Sequence, residues 1–395
     1  MAVPLDSPQP VFTFPPLDTI PDAQEDQPVP GTALDKLGSL DVSALVFGAA
    51  TLSHIYNAVD TLSTDILLRT VRLAMRYGIR SFDTSPYYGI SEIVLGTALK
   101  ALEAEFPRES YQLMTKCGRY GGADFDYSPA TIRRSVQRSL ERLHTSYLDA
   151  VYLHDTEFVA EWVGPRKEGD HSGALGSEAQ AYGVAPGQEA LIHGPGDQAI
   201  LDAIAELRKM QNEGLVRNIG ITGFPLPTLL RLSLLALHTA PYRPLDIVLS
   251  YSHLNLQNDT LRAFAPVLRE RARVGMLLTA SPLSMGLLTP RVPTWHPAPE
   301  SLKKAAQEAV IRCADWNGGL PAVAIAWASK VAEQGPVPMP SVVGLSKLQE
   351  VHQAVRAWRV VRDGAKTEEL DAIAVKATAA FEETGTKNWS WVTRG

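Results

Sequence analysis

Four side chains in the first half of the chain have the chemistry to move a proton as a set: Asp83, Tyr88, Lys116 and His154. A free tyrosine titrates near ~10, too high for an efficient proton donor and acceptor at neutral pH. A lysine ammonium beside it would favour the phenolate and lower that value. A carboxylate beside the lysine would hold it charged and aimed, and a histidine could hydrogen-bond a substrate oxygen. Each residue also has a plainer role. Asp83 could cap a turn, Tyr87 or Tyr88 could simply pack, and His154 could be a satisfied core histidine. Lys116 is harder to explain away, because lysines are rarely buried unless paired.

The elements that must position these groups can be read locally. Ile79-Arg80-Ser81-Phe82 is β-prone, the chain breaks at Pro86 and Gly89, and a helix restarts at Ser91. Asp83 therefore ends a strand and Tyr88 sits in the following turn, a usual place for function on a rigid scaffold. Tyr111 to Gly118 is the next strand and carries Lys116; Tyr147 to His154 is the one after. Between them a helix opens at Ser128-Pro129, with Ser128 as cap and Pro129 in the first turn, and buries Ile132, Val136, Leu140 and Leu143. Upstream lie a strand from Ser43 to Gly48 and a helix from Thr64 to Tyr77 capped by Ser63. Downstream, strands at 217–222, 246–251, 274–280 and 341–344 alternate with helices at 198–212, 226–237, 259–271 and 348–360. About eight strand–helix units in ~250 residues, plus additions, predict a (β/α)8 TIM barrel. All four chemical groups then fall at consecutive strand ends on one face, which argues against coincidence.

The additions are a Pro-, Asp- and Gln-rich mobile tail over 1–34, a barrel over 35–365, and a C-terminal helical segment and tail over 366–395. A Gly/Pro-rich insertion at 164–196 has no clear period and is expected to be ordered only in part. Among 395 residues, 45% are apolar and 20% charged, with a formal charge of -6 and no long basic block. That composition fits a soluble globular protein and argues against nucleic acid or an anionic membrane as main partner. No apolar run approaches the ~20 residues of a membrane helix. Two cysteines make no disulfide framework, and the N-terminus lacks a signal layout, so a cytoplasmic location is expected. His154-Asp155 has no companion at metal-ligand spacing, so no metal site is expected. No Gly-x-Gly-x-x-Gly follows a strand, which leaves a Rossmann domain unsupported. Nothing indicates an oligomeric state.

The stretch Asp83-Thr84, Tyr88-Gly89, Glu92 and Leu95-Gly96 resembles the aldo-keto reductase signature. Two further stretches are similar to that family: Ile132 through Leu143 into Tyr147-Leu148-Asp149 and His154, and Arg217-Asn218-Ile219-Gly220-Ile221-Thr222. The resemblance implies that Asp83, Tyr88, Lys116 and His154 are the family's catalytic tetrad. It implies a nicotinamide dinucleotide bound by the barrel itself, through Thr222, Gly223, Ser281, Leu283, Gly286, Gly344, Ser346, Lys347 and Glu350. Glu350 stands where NADP-binding relatives place a basic residue, which favours NAD, with NADP as the alternative; Lys347 points the other way. The chain departs from the family at Thr222-Gly223-Phe224, where Ser-Asn is usual, and at Ala280, where an aromatic ring usually stacks on the nicotinamide. These departures are similar to the branch that oxidises aldoses at the anomeric carbon, the D-arabinose and L-galactose dehydrogenases. The insertion favours D-arabinose. His54, Tyr56, Asp155, Tyr120 and Trp162 are candidates for contacts with a small sugar substrate, although packing or surface roles are the commoner fate of such residues. Two other readings stay open: a general NADPH-linked aldehyde or ketone reductase, and a cofactor-binding regulatory subunit of the same fold.

Overall fold

A computed structural model of the protein describes residues 5–53, 56–57, 64–364 and 366–392. Eight parallel strands close into a barrel: β3 (Leu45–Gly48), β4 (Ser81–Asp83), β5 (Gln112–Cys117), β6 (Leu148–Leu153), β7 (Val216–Gly223), β8 (Ile247–Tyr251), β9 (Met276–Ala280) and β10 (Ser341–Gly344), with β10 pairing back to β3. The expected eight-unit barrel is thus the observed one. A short antiparallel hairpin, β1 (Lys36–Leu37) and β2 (Val42–Ser43), was not expected. It places Val42 in the cluster that fills the barrel interior, with Val46, Met114, Tyr152, Ile247 and Met276. The hairpin takes up the start of what the sequence suggested was one continuous first strand.

Helices α1 (Ile66–Arg76), α2 (Ser91–Ala101), α3 (Pro129–Arg142), α4 (Pro195–Asn212), α5 (Leu226–His238), α6 (Leu261–Glu270), α7 (Glu300–Arg312), α8 (Gly319–Gln334), α9 (Leu348–Arg362) and α10 (Thr367–Glu382) are described outside the barrel. α7 and α8 had no counterpart in the sequence reading. Ser128 does precede α3, but its side chain makes no capping bond. Asp126 instead braces the approach to the helix: its carboxylate accepts from Ser128 N at 2.8 Å and from Thr131 Oγ1 at 2.7 Å. The expected cap Ser63 lies outside the described residues, and α1 is preceded by Asp65.

Period-two alternation explains which strand residues face inward. On β5, Leu113 and Cys117 join the outer core while Met114 and Lys116 point into the barrel; on β6, Ala150 and Tyr152 point inward and His154 continues the series. The signature residues Glu92 and Gly96 turn out to be fold residues. Glu92, fully buried on α2, accepts from Thr115 Oγ1 and Ser139 Oγ, each at 2.7 Å, and pairs with Arg142 Nη1 at 3.1 Å. It ties α2 to β5 and α3 at once. Gly96 is required by close approach: any Cβ there would strike the backbone at Arg142 and Leu143.

The segment expected to be a mobile tail runs along α1. Asp26 is fully buried against Arg69, with Nε to Oδ1 at 2.7 Å, and Val29 N donates to Tyr77 Oη at 2.8 Å. The insertion, expected to be ordered only in part, packs Ala174, Tyr182 and Val184 into the main hydrophobic core. At its far end Asp197 forms a buried pair with Arg231 at 2.6 Å and accepts from the backbone of Glu161 and His193. Gly169 forms a two-way backbone bridge with Ser390, at 2.8 and 2.9 Å, which fastens the insertion to the C-terminal segment.

Two stability tests follow from these contacts. Glu92→Ala leaves Arg142 buried without its partner and should cost about 3 kcal/mol, seen as a lower urea midpoint with the activity per folded molecule retained. His171, in the insertion, is buried with neither ring nitrogen bonded, and burial pushes its imidazole down to about 4. Between that value and about 6.5 the unfolded chain binds a proton that the folded one does not, so stability falls as the pH drops through this window. His171→Phe should flatten that fall by roughly 3 kcal/mol in denaturation curves taken at pH 6.5 and pH 4.

Candidate active site

Each barrel strand contributes its last inward position to one cavity at the C-terminal end: Gly48, Asp83, Lys116, His154, Thr222, Tyr251, Ala280 and Gly344, from β3 to β10 in order. The cavity measures about 1330 Å³ and opens to solvent. The deep end is charged and tightly bonded. Lys116 Nζ donates to Asp83 Oδ1 at 2.6 Å and to Thr84 O at 2.9 Å, and lies 4.7 Å from the centre of the Tyr88 ring. Tyr88 closes the short 3-10 turn Pro86–Tyr88, in which Tyr87 N donates to the Ser85 hydroxyl at 3.1 Å. The same Ser85 hydroxyl meets His154 Nδ1 at 2.9 Å, and the His154 ring stands edge-on to Tyr88 at 5.6 Å. Tyr127 Oη fixes the His154 backbone by donating to its carbonyl at 2.6 Å. The four residues picked from the sequence are therefore brought together.

Their electrostatics differ from expectation in one respect. Tyr88 is pushed well above its ordinary range, first by burial and then by the carboxylates of Asp83 and Asp155, with Arg119 opposing. The expected lowering by Lys116 is not what the protein alone produces. Burial is the larger effect, and the Asp83 carboxylate beside the ammonium raises the phenol further. Burial likewise raises Asp83, against the pull of Lys116. His154 is held well below 6.5 by burial and by Lys116 and Arg119, so it is a neutral hydrogen-bonding group. The phenol is thus the resting form, with a neutral imidazole beside it.

Of the other expected site residues, Thr222, Ser281, Leu283, Gly286, Gly344, Ser346, Lys347, Glu350, Tyr56 and Asp155 all line the cavity. Gly223 does not. The carboxyl group of Glu157 occupies the space a side chain there would need, with Oε1 accepting from Phe224 N at 3.0 Å. Its Oε2 is buried with no partner, and burial followed by Asp155 pushes the carboxyl up to about 8. Tyr120 is also misplaced by the sequence reading. It is buried beneath the strand end, accepting from Gly118 N at 3.0 Å, away from the cavity. Trp162 lies outside the cavity, half-exposed, and donates to Gly164 O at 3.1 Å. His54 lies outside the described residues.

The mouth suits a dinucleotide. Lys347 stands at the N-terminus of α9 beside Gly344 and Ser346, where the helix end and a cation favour phosphate. Glu350 reaches back and accepts from Ser346 N at 2.7 Å and Ser346 Oγ at 3.1 Å, so part of its acceptor capacity is already used. The loop after β9 is bent sharply, with Ser281, Ser284 and Met285 all at positive φ and Ser281 Oγ accepting from Met285 N at 2.7 Å.

Arg119 and Trp391 are among the wall residues that escaped the sequence reading. Arg119, three positions beyond Lys116, turns into the cavity; reading past the strand end would have found it. Trp391 comes from the extreme C-terminal segment and stacks on Phe224 at 4.7 Å, against His296 at 4.9 Å. It is held there by Ser390, which bridges Gly169 and meets His253 Nε2 at 3.1 Å. No local pattern marks a tryptophan so far from the strands as part of their site.

The family model described as the aldo/keto reductase family matches residues 44–375. The chain is 36% identical to the D-arabinose 1-dehydrogenase of Saccharomyces cerevisiae over 355 residues, 88% of this chain and 93% of that protein. It is 36% identical to the L-galactose dehydrogenase of Arabidopsis thaliana over 321 residues, 80% of this chain and 85% of that one. Among solved structures, an aldo-keto reductase from Bacillus halodurans shares the fold with a TM-score of 0.57 at 20% identity, covering 88% of this chain and 96% of that one. The barrel, the cavity at its strand ends and these matches agree: the chain belongs to the aldo-keto reductase family.

Proposed function

We propose that the chain oxidises an aldose at C1 to its lactone, with a nicotinamide dinucleotide as partner. D-arabinose, giving D-arabinono-1,4-lactone, is the first candidate substrate, and L-galactose and L-fucose are the next. The observation that carries this reading is the charge balance of the cavity floor. Its two deep cations each have their own carboxylate, Lys116 with Asp83 and Arg119 with Asp155. Such a floor suits a neutral polyhydroxy substrate and offers little to an anionic one. The similarity to sugar dehydrogenases over most of the chain supports the same class.

The donor set at the mouth fits the dinucleotide: a helix N-terminus with Lys347 for phosphate, and Glu350 rather than a base where a 2′-phosphate would need one. We favour NAD over NADP on that charge. When bound, the nicotinamide supplies the two-electron acceptor for the hydrogen leaving C1. Tyr88 takes the proton of the C1 hydroxyl in oxidation and returns it in reduction. The Lys116 ammonium, held by Asp83 and the Thr84 carbonyl, steadies the phenolate. His154, neutral and fixed by Ser85, orients the reacting oxygen.

Initial rates with D-arabinose, L-galactose, L-fucose and D-glucose, on NAD and on NADP, test this reading. One sugar should be oxidised with NAD, and Tyr88→Phe should lose roughly 10²- to 10⁴-fold in kcat. Because Tyr88 is raised, the base form grows with pH, so oxidation should speed up on the alkaline side while reduction slows. Reduction of simple aldehydes by NADPH with no sugar oxidation would favour the general reductase. Tight cofactor binding without turnover would favour the regulatory subunit.

A further inference from the structure

If C1 is the carbon oxidised, as the proposed function has it, the rest of the sugar needs recognition groups of its own. Beside the proton-moving groups lies a second buried pair, Arg119 with Asp155, whose side chains take no part in holding Tyr88 or Lys116. Both residues line the cavity and both are buried, at 7% and 4% exposure. The guanidinium is immobilised on every side. It lies 4.0 Å above the Tyr87 ring and about 5 Å from the Phe125 and Phe158 rings. Nε donates to Gly121 O at 3.3 Å, Nη2 to Gly122 O at 3.0 Å, and Nη1 to Asp155 Oδ2.

Asp155 is held in an unusual way. Its backbone is left-handed, with φ of 55°, directly after His154. Its Oδ2 lies 3.6 Å from His154 Nε2. Its Oδ1 receives no hydrogen bond from the described residues. A buried ion pair is a poor device for stability, and a non-glycine residue in the left-handed region adds local strain. A carboxylate held at such cost, with one oxygen unmatched beside the reacting centre, fits recognition of a substrate donor.

We infer that Asp155, aimed by Arg119, accepts a hydrogen bond from the hydroxyl on the carbon next to the one oxidised, so that the chain selects 2-hydroxy aldoses over their 2-deoxy counterparts. His154 orients the oxygen on C1, and Asp155 lies one short step from the same imidazole nitrogen, where the oxygen on C2 would fall. Arg119 supplies the countercharge that keeps the carboxylate an acceptor.

The test compares kcat/KM for an aldose and its 2-deoxy counterpart, for example D-arabinose against 2-deoxy-D-ribose, which is D-arabinose without its 2-hydroxyl. The wild type should prefer the hydroxylated sugar by roughly 10- to 100-fold, the usual worth of a hydrogen bond to a charged group. Asp155→Ala should remove that preference. Asp155→Asn, which tolerates the left-handed backbone and keeps a neutral acceptor, should leave an intermediate one. Equal rates for both sugars in the wild type would overturn the inference, as would an undiminished preference in both variants. Oxidation of aldoses with a 2-hydroxyl preference that does not depend on Asp155, or with none, sinks this assignment alone. A wild type that oxidises no aldose sinks the C1-oxidation reading and this inference with it.

Discussion

The arrangement depends on one buried ion pair, Lys116 with Asp83, closed at 2.6 Å between the ends of two adjacent strands. Neither charge would be tolerated there alone. Lysine at an inward position needs a countercharge, and Asp83 reaches it only because β4 and β5 are parallel neighbours in a register that sets Asp83 opposite Met114. The pair in turn sets what surrounds it. The Thr84 carbonyl takes a further Lys116 hydrogen, and the Tyr88 ring lies under the ammonium. Ser85 both caps the Tyr88 turn and fixes the His154 imidazole. One residue stretch, from Asp83 to Tyr88, thus supplies the acid, the turn and the phenol.

Around this floor the molecule is organised to keep α2 and β5 where the pair needs them. Glu92 links α2, β5 and α3 through buried bonds, and Gly96 lets the helix approach the end of α3. Below, the barrel interior is closed by apolar side chains and the β1–β2 hairpin; above, the eight inward strand ends form the cavity. A second pair, Arg119 with Asp155, makes the floor electrically balanced. The wall is completed from far away in sequence, by Trp391 on a segment that the insertion grips through Gly169 and Ser390.

What the sequence made legible follows from how local each signal is. Asp83, Tyr88, Lys116 and His154 were readable because strand periodicity and the Pro86/Gly89 break place each at a strand end without any knowledge of packing. The eight-unit barrel was readable for the same reason. Tyr120 was misjudged because proximity to Lys116 in sequence does not say which side of the strand end it falls on. Gly223 was misjudged because Glu157, distant in sequence, fills its space. The perturbation of Tyr88 was misjudged because residue types gave the sign of the Lys116 effect, while the balance was decided by burial and by Asp83. Helices α7 and α8, the hairpin and Trp391 were not seen, since their places are fixed by tertiary contacts rather than by local pattern.

The proposed transfer of hydrogen from C1 of a sugar to the nicotinamide can be followed with an aldose carrying deuterium at C1. The deuterium should appear on the reduced nicotinamide ring, the sugar should be recovered as its lactone, and the rate of the chemical step should drop with the label. Retention of the deuterium in the organic product, or reduction of the sugar to its alditol as the only reaction, would contradict it.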